Sequence, residues 1–157
     1  MRKIIVLEDK NFSINSDGWK KSKCIEYRKD YSKSFFKPTI VFTEIEEKVN
    51  PEGDIWEIGE EQYFTLESGR RELKKAGKRI PTTSEWEELS KKHENLPLSL
   101  GVRCQKNEDF YYTDIGEHGY YLASDNETGL ITTPKQINQI SINKDDIVGY
   151  SVRCIKN

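Results

Sequence analysis

From residue 96 onward the chain breaks into six short runs: "LPLSLGVRC", "DFYYTDI", "GYYLASD", "TGLITT", "QINQISI" and "GYSVRCIKN". Each is rich in β-branched or aromatic residues, and Gly, Asp, Asn or Lys punctuates the gaps between them. Such runs are too short and too densely punctuated to be amphipathic helices. Their side chains suit a pleated surface buried on one face or both. This third of the molecule must therefore build a sheet.

The segment before it obeys a different period. Thr65 is a good N-cap for "LESGRRELKKAG". Leu66, Gly69, Leu73 and Ala76 recur near one helical face, and Gly77 suits the residue just past the end. A second helix follows in "IPTTSEWEELSKK". There Thr82 and Glu85 have the T-x-x-E spacing of a capping box, and Trp86 and Leu89 supply the buried stripe. Helices followed by short strands predict an α+β fold, with two helices packed on a mixed, mostly antiparallel sheet. "NPEGD" at 50–54 is a turn signal that marks the start of this regular part, residues 51–157. Residues 1–50 read as an N-terminal extension of unassigned role. "RKIIVLE" and "PTIVFTEI" within it have strand composition, and the Lys- and Ser-rich stretch between them has no clear period.

Composition narrows the function. A chain of 157 residues can bury one core, and 25 basic against 27 acidic residues leave no general attraction for nucleic acid or anionic lipid. No apolar run is long enough to span a membrane. The apolar stretch near the start, Ile4 to Leu7, is shorter than the core of a secretory signal. Cytoplasmic synthesis without a signal peptide is therefore expected, which is compatible with later association with a virion. The cysteines are Cys24, Cys104 and Cys154. No C-x-x-C pair and no Cys/His spacing suggests zinc, so neither metal nor cofactor is expected. An odd count without a signal argues against a disulfide framework. V-R-C occurs twice, at 102–104 and 152–154. Strand period places Val and Cys on one face and Arg on the other, so both copies are expected to be strands with inward, reduced cysteines.

"AGKRIPTTSEWEEL", "LPLSLGVR", "GYYLASD" and a closing "GYSVRCIKN" occur in this order. Together they resemble C-type-lectin-like domains related to formylglycine-generating enzymes. Within that group they are most like the small proteins of the Fibrobacter succinogenes major paralogous domain, some of which are variable proteins of diversity-generating retroelements. The resemblance covers about residues 53–157. It implies a C-type-lectin-like fold in which the "RIPTTSEW" segment is structural and Arg79 ties the helix junction to a carboxylate or carbonyl. It also implies that loops between the late strands form the ligand face.

Catalytic constellations are missing. No cysteine sits in the pattern a copper-dependent formylglycine-generating site needs, and His93 and His118 stand apart from any nucleophile. "SDNETG" at 124–129 offers three oxygen-bearing side chains, but a solvated acidic turn explains it better than a calcium loop. Tyr and adaptable polar side chains do gather in the strand-rich half, and that is contact-surface chemistry. The candidate ligand-binding residues are Tyr111, Tyr112, Asp114, His118, Asn126 and Glu127, with Lys135, Gln136 and Asn138 on the facing segment. The expected function is a non-catalytic recognition module for a protein or glycan, such as a phage or bacterial surface component. The alternative is a structural or assembly protein of a virion or larger complex. The first fifty residues distinguish the two, because they would mediate homo-oligomer contacts in an assembly protein and fold back on the domain in a recognition module.

Overall fold

A computed structural model describes residues 18–30, 39–92, 99–125, 128–132, 137–142 and 147–156. The elements run β1 (Lys20–Asp30), β2 (Thr39–Val49), β3 (Ile55–Ile58), β4 (Glu61–Phe64), α1 (Leu66–Lys75), β5 (Lys78–Arg79) and α2 (Thr83–Lys92). They continue with β6 (Leu100–Lys106), β7 (Asp109–Ile115), β8 (Gly119–Leu122), β9 (Thr128–Thr132), β10 (Ile137–Ser141), β11 (Ile147–Gly149) and β12 (Ile155–Lys156).

The expected balance of helix and sheet is corrected. Strands take up more than half of the described residues, and the two helices are only ten residues each, set against a ten-stranded mixed sheet. The α+β, C-type-lectin-like arrangement of two helices packed on a sheet does not describe this molecule. The physical reason lies in residues 20–49. Their long antiparallel pair, β1 with β2, adds two eleven-residue strands to the sheet where sequence period was weakest.

The pairings close on themselves. β6 pairs with β7, β7 runs parallel to β1, and β1, β2, β3 and β4 follow in antiparallel order. Phe64, ending β4, exchanges both backbone hydrogen bonds with Tyr150, at 2.7 and 2.8 Å. Tyr150 directly follows β11, which pairs with β6 and completes the ring. A closed sheet has an interior, and here it holds Cys24, Trp56, Tyr63 and Tyr112, with Ile45, Val49 and Phe110 around them. Gly149 is needed at the closure. A Cβ there would stand 3.0 Å from both Trp56 and Tyr63 and 3.2 Å from Arg103.

An ion pair sits inside this ring. Arg103 Nε and Nη2 donate to Glu47 at 2.8 and 3.3 Å, Nη1 donates to Gln105 at 2.8 Å, and the Tyr112 hydroxyl donates to the same Glu47 carboxylate. The Arg103 and Glu47 side chains are 3% and 1% exposed, so neither charge is relieved by water. The guanidinium lies between two aromatic faces, 4.3 Å from the Trp56 ring centre and 4.6 Å from that of Phe110. The first V-R-C is thus a strand, as expected, with its arginine on the face opposite Cys104. That face turns inward, and Cys104 is only half-buried. The second V-R-C is not a strand. Residues 152–154 are irregular between Ser151, which bridges to Tyr121, and β12.

A second core lies between the ring and the helices. Leu73, Ile80, Leu122, Val152 and Cys154 are buried there, and Trp86 is fully enclosed with Tyr121, Ala123 and Leu130. Both helix starts follow the expected chemistry. Thr65 caps α1 by accepting from the Ser68 N–H, and Gly77 sits past its end at φ +71°. Thr82 Oγ1 accepts from Glu85 N–H at 3.2 Å, and Glu85 accepts from Thr82 N–H at 3.0 Å. Arg79 forks onto the Glu85 carboxylate, as the resemblance implied. The 50–54 turn is wound around the Asn50 side chain, whose oxygen accepts from Asp54 and Ile55 N–H at 2.9 and 2.8 Å. The expected strand at "RKIIVLE" lies outside the described residues.

Two expected outcomes follow from these contacts. Glu47→Ala leaves the Arg103 charge buried and unpaired, which costs about 3–5 kcal/mol. Urea unfolding of the single variant should show that loss, and a smaller one when Arg103→Met is added. At the second helix, the Arg79 fork and the Thr82 N–H hold the Glu85 carboxyl below the ordinary 4.5. A depressed folded value adds stability above pH 4.5 that is lost as pH falls through it. The melting temperature of Glu85→Gln should therefore lie below wild type at neutral pH and converge with it in acid.

Candidate functional site

β7 and β8 are joined by the tight turn "DIGEH" at 114–118. Asp114 adopts φ +62°, a left-handed conformation that costs a non-glycine residue energy, and its carbonyl accepts from both Glu117 and His118 N–H at 3.0 Å. The His118 carbonyl in turn accepts from Gly101 N–H at 2.9 Å, which fastens the turn to β6. The Tyr120 hydroxyl donates to Asp114 Oδ2. Burial, with the adjoining Asp114 carboxylate, pushes the Tyr120 phenol well above its usual value.

One ligand atom each from Asp114, Glu117 and His118 lies within 4.8 Å of the other two. These are the residues that could hold a cation. Two carboxylates and an imidazole suit a first-row transition ion better than calcium, which takes oxygen alone. His118 Nδ1 is buried without a hydrogen-bond partner among the described residues.

Tyr111 stands beside this turn. Its strand partner is Cys104, and the Cys104 thiol, burial and Asp114 together raise the phenol above its usual range. The same thiol and Glu117 also act on Tyr120. The ring is 42% exposed and makes an edge contact with Tyr27, centre to centre 6.2 Å; Tyr27 contacts Phe42 in turn at 5.6 Å. The result is a polar turn of acids and imidazole at one end of an aromatic row.

Of the nine residues singled out from sequence, Tyr111, Asp114 and His118 come together here. Tyr112 does not, because strand alternation turns it into the ring, where it is fully buried against Tyr63 and Glu47. Asn138 is exposed on β10, the edge strand two places from β8 in the strand order. Asn126, Glu127, Lys135 and Gln136 lie outside the described residues. Asp125, read as part of a solvated acidic turn, instead accepts from the Thr83 N–H and hydroxyl at 2.8 and 2.6 Å. Thr83 holds its carboxyl below the usual range, so this acid anchors the start of α2.

Sequence reasoning missed Glu117, Tyr120, Tyr27 and Phe42. Glu117 and Tyr120 flank His118 in "GEHGYY", and an acid, an imidazole and a phenol within one turn was the available signal. Tyr27 and Phe42 gave none, since only the β1–β2 register brings them to Tyr111.

The cysteines are free thiols. Burial, helped by Glu47, pushes the Cys24 thiol up to about 12, and its Sγ–H donates to the Ile45 carbonyl at 3.4 Å. Cys154 is buried and Cys104 is half-buried at the edge of the turn site. Ellman titration should find three thiols in denaturant. In the native protein Cys104 should react first, and Cys24 and Cys154 should wait for unfolding; a count of one would reveal a disulfide.

No family model, curated protein or solved structure matches the chain.

Proposed function

We propose that the protein is a non-catalytic recognition module that binds a protein or glycan through the 114–118 turn together with Tyr111 and Tyr120. One observation carries this reading. Of the residues chosen from sequence for contact chemistry, Asp114 and His118 share a turn fastened to a closed sheet, and Tyr111 stands beside it on β7. A rigid scaffold presenting an exposed aromatic ring beside hydrogen-bond acceptors loses little entropy on binding. The strands from the first fifty residues support the same reading, because β1 and β2 fold back between β7 and β3. The reading accommodates a phage or bacterial surface component.

The alternative, a structural subunit of a virion or larger complex, is favoured by a different observation: Ile25, Ile40 and Phe42 are exposed on the outer face of β1 and β2.

The double variant Tyr111→Ala, His118→Ala tests the first reading. Wild-type protein screened on a glycan array and a displayed-peptide library should retain a discrete ligand set. The variant should keep its melting temperature and lose roughly fivefold or more in affinity for that set. Equal affinity in the folded variant would remove the turn from the contact surface.

A further inference from the structure

The 114–118 turn brings two carboxylates together without a cation to match them. Asp114 and Glu117 are both half-buried, and neither forms an ion pair among the described residues. Other enclosed acids of the chain are met by guanidinium groups: Asp54 by Arg71, Glu85 by Arg79 and Glu47 by Arg103. Like charges this close repel, and partial burial weakens the screening that water provides. A bound cation removes that conflict.

A second sign is on the imidazole. His118 Nδ1 is enclosed by protein and has no hydrogen-bond partner among the described residues. A buried polar atom left unmet costs free energy. The backbone fixes the residue in place, because the His118 N–H donates to the Asp114 carbonyl at 3.0 Å and its own carbonyl accepts from Gly101 N–H at 2.9 Å.

The geometry is near that of a bound ion. One donor atom from each of the three side chains lies within 4.8 Å of the others. Around a tetrahedral ion with bonds of about 2.0–2.2 Å, donors stand roughly 3.3–3.6 Å apart, so small side-chain rotations close the set. Asp114 is already oriented. The Tyr120 hydroxyl donates to its Oδ2, and its Oδ1 receives only a long contact from Thr113 Oγ1 at 3.5 Å. Ligating carboxylates are typically held by such a hydrogen bond. Cys/His spacing misses this set, because "DIGEH" holds one histidine and no cysteine.

We propose that Asp114, Glu117 and His118 bind one divalent first-row transition ion of the zinc type, with Tyr120 as the positioning residue for Asp114. Imidazole and carboxylate donors suit such an ion, whereas calcium takes oxygen alone. Three protein donors leave a fourth position for water. The ion site shares the turn with the recognition surface but does not rest on that reading, because zinc is titrated with no protein or glycan present.

Isothermal titration of the full, metal-free chain with zinc chloride tests the proposal. Wild type should bind one zinc per chain, and calcium or magnesium at the same concentration should not displace it. Tyr120→Phe should weaken binding by about 10–100-fold, and Glu117→Gln and His118→Ala, which each remove a ligand, by at least as much. Melting temperatures without zinc show whether each variant is folded. Cys104→Ser should leave the affinity unchanged, and cobalt(II) in place of zinc should give d–d absorption with no thiolate charge-transfer band. No zinc bound by wild type, or equal binding by folded Glu117→Gln and His118→Ala, would overturn the proposal. Equal binding by Tyr120→Phe would remove its positioning role. A thiolate band, or loss of binding in Cys104→Ser, would move the ion to the cysteines. A chain that binds zinc but retains nothing from the glycan array and peptide library keeps this site and loses the recognition reading, and a chain with the reverse result does the opposite.

Discussion

A buried carboxylate holds the ring together from within. Glu47 on β2 receives Arg103 from β6 and Tyr112 from β7, so three strands meet at one acceptor group. Removing such charges from water is costly, and only saturated hydrogen bonding offsets it. Saturation needs Gln105 on the third guanidinium nitrogen and aromatic planes on both faces. The positions of Trp56 and Phe110 and the absence of a side chain at Gly149 all follow from fitting that pair. The pair also helps fix the register, because a one-residue slip would carry Glu47 to the opposite face of β2.

The same constraint explains what the sequence could and could not disclose. Helix starts are local, and Thr65, Thr82, Glu85 and Gly77 were legible because capping involves neighbours three or four residues apart. The strands at 100–106, 109–115 and 119–122 were legible for a similar reason. Sidedness was not. Strand period separates Val102 from Arg103, but it takes the curl of the whole sheet to say that the arginine side is enclosed. β1 was illegible because "KKSKCIEYRKD" alternates lysines on the outside with Cys24 and Glu26 on the inside, which reads as a polar tract. With β1 and β2 unread, the weight of sheet over helix was missed.

The candidate site shows the same division. Asp114 and His118 lie within one turn and were found together, whereas Tyr112 was chosen with Tyr111 because adjacent tyrosines look alike in a string. In a strand they face opposite ways, one into the ring beside Glu47 and one outward beside Cys104. The turn itself borrows stiffness from the scaffold. Asp114 holds a left-handed backbone because Gly101, Glu117 and His118 fasten the chain on both sides.

The seam between Phe64 and Tyr150 has a consequence for how the chain reaches this state. It joins residues 86 positions apart, and the Glu47–Arg103 pair spans 56. Beyond the β1–β2, β2–β3, β3–β4 and β6–β7 pairings, the ring is joined between strands distant in sequence. Loop entropy must be spent before most of these long-range contacts repay it, which places such a topology among domains that fold in about milliseconds to seconds. Until the closing residues emerge from the ribosome, β4 and β6 have open edges and two charges lack their enclosure. Nascent chains of this protein therefore depend on shielding from one another for longer than a helical bundle of equal length would.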